Sequence, residues 1–329
     1  MSSKIQEILV GGDDVIDYNA VIAKYPWVVE REHKCIISPD ADGMLCGLFM
    51  SQYLNWEIVG YYDNGKNLII KKGVEAKECV FLDTEIYRPD IRSVGQHISL
   101  LRTKNTLINL ENYKNCLNPN SLRGRTKEEN FGLKYPMGTI HLLLCIVGAR
   151  QVINFTENSF FVILQADGTL NRFLDRYSEN LYDWLHFMDV KNPKNVLRSV
   201  IRKEVNLMDL NKEYVEYVQY FVKTKKDKIP ISNKGELIIE SFNALRDGFS
   251  ESCIIAAKKY LNFLAAQTGW VLDEKKWVFD NFRLYRFTKK TVKPGVGTFN
   301  TAVTENFLSL AITASDTMEY TLEAPDRLP

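Results

Sequence analysis

Cys35-Ile36-Ile37-Ser38-Pro39-Asp40-Ala41-Asp42-Gly43-Met44-Leu45-Cys46-Gly47-Leu48-Phe49 is the stretch on which the fold turns. Cys35 to Ser38 is a short apolar run that reads as a buried strand. Pro39 ends it, Asp40-Ala41-Asp42-Gly43 makes a tight turn, and Met44 to Tyr53 reads as a helix. Two carboxylates two residues apart, on a glycine turn between strand and helix, can point into one cavity and hold a hard divalent cation. The plainer account of the same pair is an Asx-type turn that caps the helix. Met44, Cys46, Leu48 and Phe49 read as core packing behind the turn.

Working outward, Trp56 to Tyr61, Cys79 to Leu82 and Phe160 to Gln165 read as further strands. Asp83 and Asp167 each follow one of these runs. Strands alternating with amphipathic segments argue for an α/β fold, a parallel sheet covered on both faces. Ligands of such sheets bind at the carboxyl ends of the strands. After about residue 190 the pattern changes. Asn192 to Val222 reads as helix, Lys223 to Ser232 as a polar, basic linker, and Cys253 to Ala266 as an apolar helix before a β-rich segment. The expected organisation is a parallel-sheet domain over 1–190, a helical connector and linker over 191–228, and a smaller α+β domain over 229–329.

Composition sets bounds. The 329 residues are 45% hydrophobic and 25% charged, an ordinary globular balance. Lys+Arg 42 against Asp+Glu 41 leaves net charge +1, so no global field points to polyanions. The opening residues lack a secretory pattern. The longest apolar stretch, Met137 to Ala149, contains His141 and falls short of the ~20 residues a span needs. Six cysteines form no CxxC pair and read as buried thiols of a reducing compartment. The expectation is a cytoplasmic protein with no membrane partner.

Three motifs compete for the Asp40–Asp42 turn. An EF-hand loop beginning at Ser38 would place Phe49 where a bidentate Glu is required. A haloacid-dehalogenase arrangement needs a later Lys and an acidic pair at a strand end, and no convincing pair follows. The third uses more of the chain: DADG at 40–43, Asp83 in VFLDTEI, His97 14 residues later in SVGQHISL, CLNPNSLRGR, LKYPMGTIHLLL, and Asp167 in FFVILQADG. This order, over about residues 34–175, resembles the DHH phosphoesterase superfamily of exonucleases, nano-RNases, cyclic-dinucleotide phosphodiesterases and family II pyrophosphatases.

That resemblance implies a Mn²⁺ or Mg²⁺ site on Asp40, Asp42, Asp83 and Asp167, with Asp83 bridging and water as nucleophile. It implies that His97 assists near the substrate phosphate. The chain departs from the family at Ile36, where many members carry a histidine, and at the Asp-His-His box, which reads Gly95-Gln96-His97. No histidine follows residue 186 to serve a C-terminal gripping loop, where Lys293 to Thr298 is the nearest glycine loop.

Other features carry less. Gly60 to Asn67 nearly spells a phosphate-binding loop, but Asn67 stands where a hydroxyl is needed, so it reads as chance. His33, His141 and His186 read as structural. Residues 101–150 carry eight Lys/Arg and three Asp/Glu, with Arg123 and Arg125 beside the Asn-Pro turn. Phe282 to Lys293 holds five basic residues, among them Arg283, Lys289 and Lys290, interleaved with aromatics. Such a mix suits a single strand, though an edge strand with a charged outer face has the same pattern. The leading expectation is a metal-dependent phosphoesterase for a nucleotide or short single-stranded nucleic acid. The alternative is a catalytically inactive scaffold or nucleotide-binding sensor of the same type, with a homo-oligomer or protein partner left open.

Overall fold

A computed structural model describes residues 14–63, 65–102, 106–107, 109–174, 178–201, 231–233, 236–238, 242–243 and 247–329. Most of the expected 192–222 helix and of the 223–232 linker lies outside these residues; within them, Val196–Ile201 is helical.

The stretch around Asp40 forms strand β1 (Lys34–Ile37) and helix α2 (Ala41–Leu54), after a short α1 (Tyr18–Lys24). The chain continues through β2 (Glu57–Tyr62), β3 (Asn67–Lys71), β4 (Cys79–Leu82), β5 (Arg92–Val94) and β6 (Cys116–Leu117). Then come helices α3 (Thr139–Gly148), α4 (Ser159–Gln165), α5 (Ser178–Phe187) and α6 (Glu251–Thr268). The C-terminal part supplies β7 (Phe282–Arg286), β8 (Thr288–Val292), α7 (Val296–Thr304), β9 (Ser309–Ala314) and β10 (Thr317–Leu322).

The protein is α/β, built on a seven-stranded, mostly parallel sheet in the order β7-β3-β2-β1-β4-β5-β6. β2, β1, β4, β5 and β6 run parallel; at one edge β3 is antiparallel to β2, and β7 is antiparallel to β3. β1 is followed through α2 by β2 on one side, while β4 lies on its other side. The order therefore reverses at the β1–β4 boundary, which opens a crevice at the carboxyl ends of those two strands.

Side chains alternate across the sheet. Cys35, Ile37, Ile58, Val80 and Leu82 join the core shared with α2, α3, α4 and α6. Ile36, Val59, Phe81 and Cys79 face the other way, against Val74, Ile86, Ile91, Phe287 and Leu308. Helices thus cover one face, and loops and C-terminal residues cover the other.

Two expectations need correction or extension. Phe160 to Gln165 is helix α4, not a strand. A short apolar run with no polar alternation suits a buried helix as well as a buried strand, and here it packs against α6 and the 196–201 helix. The basic stretch from Phe282 divides between two sheets: β7 pairs with β3 of the main sheet, from Phe282 opposite Lys71 to Arg286 opposite Asn67. β8 joins a separate antiparallel sheet, β8-β10-β9. A third core of Ile98, Leu101, Phe299, Leu310, Ile312 and Met318 seats that small sheet on the main body. The backbone amide of Ile312 donates to the Ile98 carbonyl at 2.8 Å.

Candidate metal centre

Asp40 and Asp42 leave the carboxyl end of β1, and Asp83 leaves that of β4. Asp40 is the N-cap of α2, its Oδ1 accepting the Gly43 amide at 2.9 Å, which realises the capping account of this residue. Asp42 points inward from the first turn of the same helix and is buried. Its Oδ2 accepts the Thr139 amide at 2.6 Å and its Oδ1 the Ile140 amide at 3.1 Å. The carboxylate therefore sits on the N-terminus of α3, where unsatisfied N–H groups favour negative charge.

Two glycines permit this approach. A Cβ on Gly43 would overlap the hydroxyl and carbonyl oxygens of Ser38, and one on Gly138 would lie 2.9 Å from Asp42 Oδ2.

Asp83 is buried and accepts two hydroxyls: Thr139 Oγ1 on Oδ1 at 2.7 Å and Ser38 Oγ on Oδ2 at 2.6 Å. Ser38 Oγ also lies 2.9 Å from Asp40 Oδ1. One hydroxyl proton faces two carboxylates, so it serves only one at a time. Asp167 comes from the turn between α4 and the helix Thr169–Leu174, not from a strand end as expected. Asp83 and Asp167 both adopt left-handed backbone, with φ of 61° and 51°. Asp tolerates that conformation better than most residues. Asp42, Asp83 and Asp167 each offer a carboxylate oxygen, all within 4.8 Å of one another.

The electrostatics of this cluster are unfavourable for three charges. Burial raises the Asp42 pKa, the nearby Asp40 raises it further, and the α3 amides only partly offset this, leaving it pushed up to about 6. Burial, then Asp42, Asp40 and Asp167, hold Asp83 well above the ordinary carboxylate range. A divalent cation would relieve both effects, and oxygen donors of this kind suit a hard ion. A neutral oxygen stands nearby in sequence to His97: Gln96 Oε1 is buried with no hydrogen-bond partner. The three carboxylates could hold a hard divalent cation of the Mg²⁺ or Mn²⁺ kind.

Asp167 also lines a cavity of about 490 Å³, with Gln96, His97, Lys134, Tyr135 and Arg172 around it. Thr313, Ala314 and Ser315, at the end of β9 and the start of its turn to β10, also line it. The small C-terminal sheet thus contributes to the pocket wall, and the Lys293–Thr298 loop does not line it. Burial lowers the Lys134 pKa and Arg172 lowers it further, the mark of cations crowded at one rim. His97 is one-third exposed in its side chain and pairs with the buried Glu85.

The other expected site residues are placed elsewhere. Arg123 does not line the cavity. Its side chain is 3% exposed, lies 4.6 Å from the ring centres of both Trp184 and Phe187, and pairs with Asp183 at 3.0 Å and with Asp14. Arg125 shares Asp183 at 3.5 Å. These guanidiniums bind the α5 region to the Asn-Pro turn, which leaves Arg123 no surface for a substrate. Arg283 lies over Tyr285 on the edge strand β7, and Lys290 pairs with Glu305 at 2.6 Å. Lys289 pairs with Glu319 at 2.9 Å and lines a smaller cavity of about 90 Å³ beside Glu85 and His97.

His141 is buried as expected, with Nδ1 3.1 Å from the Gly138 carbonyl but with Nε2 unpartnered. All six cysteines are unpaired thiols. Ser38, Thr139, Glu85, Lys134 and Arg172 were not apparent from sequence. Ser38 and Glu85 lie within two residues of expected acids, and Thr139 follows the glycine that opens α3.

No model of a known protein family, no curated protein and no solved structure matches the chain. Among the described residues, no helix is long and apolar enough to cross a membrane.

Proposed function

We propose that this chain is a metal-dependent phosphoesterase that hydrolyses a nucleotide or a short single-stranded oligonucleotide. The observation that carries the reading is the convergence of Asp42, Asp83 and Asp167 within 4.8 Å, with Asp167 lining a cavity whose walls hold His97, Lys134 and Arg172. These acids would hold Mn²⁺ or Mg²⁺, with Asp40 adding charge from the cap of α2. Such a cation supplies Lewis acidity at phosphate oxygens and lowers the pKa of water.

The chain's own groups supply the rest. Lys134 and Arg172 offer positive charge to a phosphate, and the cavity fits a ligand of nucleotide size. The His97 imidazole carries a proton at the cavity wall. Ser38 and Thr139 hold the Asp83 carboxylate in one orientation. Thr313 and Ser315 contribute to the cavity wall from the C-terminal sheet.

Gln96 favours a second reading, a sensor that binds a nucleotide without cleaving it, because an amide neither accepts nor returns a proton as an imidazole does. Incubating the purified chain with nucleotides and labelled oligonucleotides of two to five residues, with Mn²⁺ or Mg²⁺, separates the readings. Hydrolysis abolished by Asp83→Asn supports the enzyme. Thermal stabilisation by a nucleotide with no product supports the sensor. Partner binding that survives loss of all four acids supports a scaffold.

A further inference from the structure

His97 is held by a network that the proposed reaction does not by itself require. The buried Glu85 carboxylate accepts the His97 backbone amide on Oε1 at 2.6 Å, and its Oε2 lies 3.2 Å from His97 Nδ1. Asn118 Nδ2 donates to the same Glu85 Oε1 at 3.0 Å and to the His97 carbonyl at 2.8 Å. The Asn118 side-chain oxygen caps the turn Pro119–Leu122, accepting the Asn120 amide at 2.9 Å. Asn120 in turn donates to the Gln96 carbonyl at 2.7 Å and accepts the Tyr135 amide at 2.8 Å. A Cβ on Gly95 would overlap the Glu85 carboxyl group, so the 95–97 segment is drawn close over it.

We propose that Glu85 is a positioning residue that fixes the His97 imidazole with its proton on Nδ1 and turns Nε2 to the 490 Å³ cavity. An ionised carboxylate only accepts hydrogen bonds, so the ring nitrogen facing it must be the donor. Which nitrogen of a histidine carries the proton is set by the bond its other nitrogen makes. Nδ1 keeps its proton in both charge states of the ring, and Nε2 alone exchanges a proton with the occupant of the cavity.

The charged groups facing His97 are Glu85, Asp167 and Lys134. Lys289 and Glu319 join it around the smaller cavity. The chemical purpose of this arrangement rests on the phosphoesterase reading; the tautomer itself can be read without turnover.

The test is long-range ¹H–¹⁵N NMR of the full chain at a pH where the imidazoles are neutral. Only four histidines contribute, and a His97→Gln variant assigns the signal. The wild type should show the Nδ1–H tautomer at His97. Glu85→Gln keeps the two bonds to Oε1 but presents an amide donor to Nδ1, so it should switch His97 to the Nε2–H tautomer. In hydrolysis assays it should lower kcat about 100-fold with little change in KM. An Nε2–H tautomer in the wild type, or no change in Glu85→Gln, overturns the proposal. If Glu85→Gln does not fold, the wild-type spectrum decides alone. A wild type with the Nδ1–H tautomer and no hydrolysis counts against the phosphoesterase and leaves the positioning role standing.

Discussion

Asp83 joins the residues of the centre that come from β1, α2 and α3, through one hydroxyl of Ser38 and one of Thr139. Its replacement by Asn keeps both contacts, because the amide accepts from one hydroxyl and donates to the other. Asp83→Asn should therefore fold, melt no lower than the cation-free wild type, and lose hydrolysis; melting curves and product assays check both halves. Asp42→Asn should fare worse, since an NH₂ group would face one of the two α3 amides. The raised pKa values also fix a pH dependence. Asp42 titrates near 6 in the fold and near 3.9 when unfolded, so the native state binds the extra proton between those values. Through Asp42, cation-free stability falls as pH rises across that window, and cation affinity should tighten over the same window, with Asp83, raised in the same direction, adding to the trend. His141, lowered to about 4 by burial, has the opposite slope, but it contributes equally with and without cation. The difference between melting curves recorded with and without Mn²⁺ from pH 5 to 8 isolates the carboxylates.

Among the elements, the β1–α2 joint was the most legible in sequence. A strand, a proline, an Asx cap and a glycine leave few conformations open, and the glycine is required by its contact with Ser38. Gly43→Ala should force this joint apart and cost about 1–3 kcal/mol, as overpacking does, measured by denaturant unfolding. β4 was equally clear, since Cys79 to Leu82 is buried at every position. The 160–165 run was not, because burial on all sides erases the periodicity that distinguishes a helix from a strand. Asp167 was read as an acid at a strand end; it comes close to Asp42 and Asp83 by a left-handed turn between helices. Thr139 was hidden for a different reason: its role depends on α3 pointing its N-terminus at Asp42, a relation between distant segments that no local pattern encodes.

Over the whole molecule, the charged residues divide by tertiary position. Arg123 looked like a phosphate ligand because basic residues beside a turn are ambiguous in sequence. In the fold it is enclosed by Trp184, Phe187 and Asp183. Arg123→Ala should destabilise the protein by about 3 kcal/mol by breaking its buried pair with Asp183 and leaving that carboxylate to the longer contact with Arg125, while hydrolysis per folded molecule is retained. Lys134 and Arg172, which the sequence did not single out as site residues, come to the cavity from separate segments, and the β9–β10 region reaches it from the far end of the chain. The central claim is that Asp42, Asp83 and Asp167 bind a divalent cation in the native state. It is tested most directly by the melting temperature of the full chain in EDTA, then with Mn²⁺ or Mg²⁺, for the wild type and Asp83→Asn. A cation that binds only the folded state must raise the melting temperature. The predicted result is a clear rise in the wild type that is absent in Asp83→Asn; no rise in the wild type, or an equal rise in both, would contradict it.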